Sequence, residues 1–262
     1  DPQMLNIPPP PTAPAMLGPI PRSRSAHEAV AVFLRERILT GEWKVDSRIP
    51  KETDLAKGLG YSRLTVRAGI AMLVGEGMLE ANAALGTFVR SWKRHSSMRV
   101  LEWMLLAYLG RDPDGVEELT RQTLWLRRTF YRSICELLCR RGVDAERERY
   151  WVSSLRMLFR KDGGIPCEVL QEEELLLVRI AEAAKNFPVS LSANALRRVL
   201  EVLNRCSNAD LDIRDDSHLF DQLFDALRDR KQSQAEELME QVCRLRERHY
   251  LTLARGRAKG QR

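Results

Sequence analysis

The chain holds only four histidines and five cysteines in 262 residues, and no long apolar run. Five is an odd number and no CxxC occurs, so a disulfide scaffold is excluded. Cys135 and Cys139 lie one helical turn apart, and the other three are scattered. Reduced thiols are expected. No stretch of 18 apolar residues exists, so no membrane span is expected. No basic segment leads into an apolar one near residue 1, so no signal peptide is expected and the reading is cytoplasmic. Glycine and proline together are 27 residues, too few for a collagen-like or wholly disordered chain. Neither HExxH, a glycine-rich phosphate loop nor a recognisable Ser/His/Asp set is found, which argues against an enzyme.

What is present is ordinary for a globular protein: 44% hydrophobic and 30% charged residues. The charge is unevenly spread. Residues 1–100 carry 14 basic and 9 acidic side chains, residues 101–251 carry 24 and 27, and residues 252–262 carry four and none. A basic front on a mildly acidic body fits a polyanion partner for the front.

Residues 1–24 are proline-rich, with Pro8 to Pro11 in a row, and read as a disordered or polyproline-like tail. From Ser25 helical spacing begins at Val30, Phe33, Leu34 and Ile38, with Ser25 and Glu28 as an expected capping box. A short second helix is expected from Glu52 to Lys57. A third, capped by Ser62, continues through Val66, Ile70 and Leu73. Two short strands are expected around Met78–Ala81 and Thr87–Val89. Residues 25–91 thus form one domain and 92–98 a linker. Residues 99–255 form an all-α domain of helices near 97–109, 115–141, 144–160, 168–186, 190–206, 216–229 and 232–255, and 256–262 a basic tail. The fold class is mostly α: an N-terminal winged helix-turn-helix followed by a seven-helix domain.

Arg63 and Arg67 are four residues apart and share one face near the amino end of the third helix. Val66, Ile70 and Leu73 take the core face. An arginine in the first turn of such a helix can reach base edges in the major groove, while Ser62 and Thr65 hydroxyls can take phosphates. The run Ile49-Pro50-Lys51-Glu52-Thr53, Ser62-Arg63-Leu64-Thr65-Val66-Arg67, Leu73-x-Gly75-Glu76-Gly77-Met78-Leu79 and Gly86-Thr87-Phe88-Val89 resembles the DNA-binding domain of the GntR family of bacterial transcription regulators. The resemblance covers Ala26 to Val89. It implies DNA contact by Lys51, Thr53, Ser62, Arg63, Leu64, Thr65, Arg67, Ala83 and Gly86. Two departures stand out. Thr53 replaces a family arginine, and the wing reads Ala84-Leu85-Gly86 where Gly-x-Gly is usual. Gly69, inside the third helix, costs about 1 kcal/mol in propensity against alanine, which close packing alone would explain.

The helical body is similar to the FadR subfamily. Many of its members hold a metal with one acidic residue and three histidines. On that pattern the positions fall on Glu173, Leu177, Phe220 and Val242, three of which cannot ligate, so no metal is expected. The resemblance is nearest to the acyl-CoA-responsive type. It implies an effector site of Trp125, Arg127, Leu177, Phe220, Val242, Arg246 and Tyr250, with the two arginines at the mouth of an apolar pocket. The expected function is a homodimeric regulator on a pseudo-palindromic double-stranded operator, responding to a fatty acyl-CoA or related lipid metabolite. Effector binding is expected to act through the 92–98 linker on the separation of the winged helices. A sensor of a small organic acid and an effector-independent DNA binder are the alternatives.

Overall fold

The computed structural model describes residues 25–160, 166–204 and 215–259. The predicted tail 1–24 and the end of the basic tail lie outside them. The backbone divides into two compact units, residues 1–107 and 108–262.

The first unit opens with α1 (Ala26–Leu39), α2 (Glu52–Leu59) and α3 (Arg63–Gly75). Val30, Leu34 and Ile38 recur on one face of α1 and are buried with Leu55, Leu59, Val66, Ile70 and Leu73. Each such side chain contributes about 1.5–3 kcal/mol when removed from water. The predicted capping box is not formed. The Ser25 side chain makes no cap hydrogen bond and its Oγ instead lies 3.4 Å from His27 Nε2. Ser62 does cap α3, its Oγ accepting from the Thr65 amide at 3.1 Å. This leaves the helix amino end fixed and open to anions.

Strands β1 (Leu79–Asn82) and β2 (Gly86–Val89) pair antiparallel, Leu79 opposite Val89 and Asn82 opposite Gly86. Leu79 and Val89, paired across the hairpin and both buried along with Met78, anchor it on the helices. Its tip is an Asx turn: Asn82 Oδ1 accepts from the amides of Ala84 and Leu85, both at 3.0 Å.

The first unit extends past the predicted boundary at residue 91. The 92–98 segment contains a short helix, α4 (Trp92–His95), and Ser96 Oγ donates to the Glu76 carbonyl at 2.9 Å. Helix α5 (Val100–Tyr108) follows. Its Trp103 ring lies 4.1 Å below the guanidinium of Arg35 and 5.3 Å from that of Arg99. Arg35 is in turn held by Glu76 through two bonds, at 2.8 and 2.6 Å. This cation–indole stack joins α5 to α1 of the first unit, while Val100, Leu105 and Ala107 of the same helix are buried.

The second unit contains α6 (Pro113–Arg141), α7 (Ala145–Arg160), α8 (Pro166–Ala183), α9 (Phe187–Asn204), α10 (Ser217–Arg228), α11 (Gln232–Leu245) and α12 (Glu247–Lys259). Among the described residues it has no strand. The helix expected from residue 115 starts two residues earlier, at Pro113, with Asp112 as its cap. Asp112 Oδ1 accepts from the Gly115 amide at 2.9 Å, and Pro113 takes the first turn, where its missing N–H costs nothing. The helix predicted over 232–255 is two helices, broken at Arg246, whose side chain is buried by ion pairs to other helices. Apolar faces of α6 to α11 meet in one cluster that includes Leu138, Leu155, Leu177, Phe220, Leu223 and Val242. Among the described residues no helix is long and apolar enough to cross a membrane.

Candidate nucleic-acid interface and the buried charge cluster

Helix α3 presents its amino end through Ser62, Arg63, Leu64 and Thr65. Arg63 is exposed and has no hydrogen bond or ion pair among the described residues. Leu64 beside it is 76% exposed. Ser62 and Thr65 hydroxyls share a 2.8 Å hydrogen bond, so one of them donates its hydrogen to the other. The remaining hydroxyl hydrogen is left for a phosphate.

Arg67 is differently placed. It is exposed, but Glu52 of α2 grips it. Arg67 Nε donates to both carboxylate oxygens at 3.1 Å, and Nη2 donates to Oε2 at 2.9 Å. The hydrogen bonds and the charge of Glu52 raise its pKa. The sequence placed both arginines outward to read a duplex; the structure leaves Arg63 unpaired and engages Arg67 with a carboxylate 15 residues away. Lys51 is exposed at the start of α2. Thr53, in the position of the absent arginine, is half-buried, and its Oγ1 lies 3.5 Å from Asp54 Oδ1.

At the wing, Ala83, Ala84 and Leu85 are exposed. Ala83 offers no side-chain hydrogen bond, so it can meet a groove only by shape. Gly86 has φ +104°, and a Cβ there would stand 2.6 Å from Arg48 Nε. The Arg48 side chain therefore lies along the base of the wing, and its backbone bridges Phe88. Sequence reading missed Arg48. The only signal was a basic residue just ahead of the Ile49-Pro50 approach. This adds a guanidinium to the wing at the position where glycine is required.

The residues proposed for an effector are brought together in the second unit, but not as a pocket mouth. Arg127 is 1% exposed, and its Nη2 lies 2.7 Å from Glu174 Oε1. Its Nη1 donates to the Cys243 carbonyl at 2.9 Å. Arg246 is 3% exposed and donates to both oxygens of Glu173, at 2.8 and 2.7 Å, with Asp216 at 3.3 Å. The Tyr250 hydroxyl donates to Glu174 at 3.3 Å. Burial is the largest influence on Arg127 and works against its charge, but Glu174, Cys243, Tyr250 and Tyr131 together outweigh it, and the pKa rises. Burial also pushes Glu173 up, against the pull of Arg246. Tyr131 and Tyr250 are raised by burial and by Glu174. Two arginines, Glu173, Glu174 and the half-buried Asp216 therefore make a knot with no net positive charge, joining α6, α8 and the α11–α12 junction. The predicted position of Arg127 and Arg246 at an opening is corrected. Both lie inside, because adjacent Glu173 and Glu174 on α8 each supply a charge that a buried guanidinium needs. Trp125 is 59% exposed and does not join the apolar interior that Leu177, Phe220 and Val242 share. Glu173, in the acidic metal position, is occupied by Arg246, while His218 is exposed.

A helix-turn-helix followed by a two-stranded wing, with a cationic amino end on its third helix, is the winged helix-turn-helix arrangement. Residues 26–89 match the family described as bacterial regulatory proteins, gntR family. The chain is 36% identical over 80 residues to the histidine utilization repressor of Klebsiella aerogenes, which covers 30% of this chain and 33% of that protein. It thus spans about a third of the length of that relative. It is 28% identical over 186 residues to the HTH-type transcriptional regulator Mce2R of Mycobacterium tuberculosis, covering 71% of this chain and 74% of that one. Among solved structures, Lar of Listeria monocytogenes, described as controlling expression of the agr system, aligns with TM-score 0.52 at 16% identity, over 89% of this chain and 98% of that one. That likeness concerns the fold.

Proposed function

We propose that the whole chain is a transcription regulator that binds a pseudo-palindromic duplex as a homodimer. Each α3 enters a major groove and each wing lies on the flanking groove. The supporting observation is the amino end of α3: an unpaired Arg63 beside exposed Leu64, on a helix start fixed by Ser62. A guanidinium so placed can bond two acceptors on guanine, while the helix start favours phosphate. Selecting duplexes from a random-sequence pool with the full chain tests this. Enrichment of an inverted repeat is expected, and Arg63→Ala costs about 1–3 kcal/mol on that site with relaxed specificity. Unchanged affinity removes Arg63 from the interface. Sedimentation of the protein with and without the site tests the dimer.

For the second unit, the reading is an effector site for a fatty acyl-CoA or related lipid metabolite, lined by Leu177, Phe220, Val242 and Tyr250. The buried arginines favour a second reading as well. Since Arg127 and Arg246 are already neutralised by Glu174 and Glu173, an anionic head group meets no net positive charge there. That supports an effector-independent binder. Thermal-shift measurements with acyl-CoAs and with dicarboxylates separate the two. A melting point that climbs with ligand concentration supports the effector, and none climbing supports the second reading.

A further inference from the structure

Arg67 is exposed, yet its Nε edge is fully spent on Glu52. Side-chain exposure is 63% for Arg67 and 29% for Glu52. Among the described residues Arg67 is the one partner of the Glu52 side chain. The other edge, carrying Nη1, has no partner among the described residues. A lone surface arginine samples many rotamers and is drawn to any phosphate. Glu52 changes both properties. Its fork holds the guanidinium plane, so less side-chain freedom is lost on docking. Its charge cancels that of Arg67, so a passing phosphate gains little. A base edge with two acceptors still gains, because hydrogen-bond geometry decides that contact. Thr53, next to Glu52, supplies no second cation that would divert the carboxylate.

We propose that Glu52 is a specificity-determining positioning residue: it holds Arg67 as a reader of base edges and withholds it from generic phosphate binding. This rests on the DNA-binding reading of α3. The test uses the full chain, a 30-base-pair duplex selected by the wild type from a random pool, and the unselected pool, with fluorescence anisotropy at several salt concentrations. Glu52→Gln is expected to tighten binding to the unselected pool about threefold or more and to lower the ratio of selected to unselected affinity about tenfold. Glu52→Asp, which keeps the charge, is expected to hold that ratio within about threefold. In an Arg67→Ala background, Glu52→Gln should leave the ratio unchanged. A ratio that Glu52→Gln does not move, or moves equally without Arg67, overturns the role of Glu52 alone. If the wild type enriches no sequence, the DNA-binding reading falls too.

Discussion

Gly69 of α3 lies directly against Val30 of α1: a Cβ built on it would stand 2.7 Å from Val30 Cγ1 and 3.2 Å from the His27 carbonyl. The glycine that weakens α3 by propensity is thus what lets the two helices touch. Gly69→Ala gains about 1 kcal/mol of helix propensity but overpacks the contact, at a cost of about 1–3 kcal/mol. Net destabilisation is expected in urea denaturation. The same substitution should cost less in a Val30→Ala background, because the clashing methyl is gone.

Leu64 is the exposed apolar side chain of the first turn of α3, and the C5 methyl of thymine is the apolar feature of the major groove. Replacing thymine by deoxyuracil in the selected duplex, one position at a time, should weaken wild-type binding at one position per half-site. Leu64→Ala should abolish that difference. Binding indifferent to every thymine methyl rejects Leu64 as a reader.

Arg127→Ala leaves Glu174 buried without its cation. Removing one partner of a buried pair costs about 3–5 kcal/mol. The loss should appear as a lower denaturation midpoint with no ligand present. Arg127→Met combined with Glu174→Leu, which removes both charges, should recover most of it. Equal stability of Arg127→Ala and wild type would show that the pair is not held in solution.

The buried thiols offer a chemical check. Burial pushes Cys135 up to about 12 and Cys243 up to about 11, and raises Cys139. At pH 8 these are thiols in the folded chain, and thiols react slowly. With Cys167 and Cys206 replaced by serine, native protein should resist a thiol-disulfide reagent, and guanidinium should release three reactive groups. Fast labelling of the native protein contradicts the packing of α6 against α11.

The winged helix was legible because its signals are local. Ser62 caps three residues ahead, and the pairing of Leu79 with Val89 lies within one hairpin. The partners of the arginines were not. Arg67 finds Glu52 fifteen residues back, Arg127 finds Glu174 forty-seven residues on, and Arg246 finds Glu173 seventy-three residues back. Spacing along one helix carries no trace of such pairs. Arginine is also a surface residue by default, so the charges among the buried Leu177, Phe220 and Val242 read as an opening. The break at Arg246 was hidden as well, since helix periodicity runs unbroken through 232–255 and the partners of Arg246 lie far off in the chain.

The Trp103 stack has a practical bearing on how the molecule is divided in the laboratory. A winged-helix piece cut after Ser91 would uncover Arg35 and the Glu76 carbonyl that Ser96 seals. Cut after Ala107, the same piece keeps its indole lid, and that longer fragment is the one expected to stay folded and read sequence when severed from the rest.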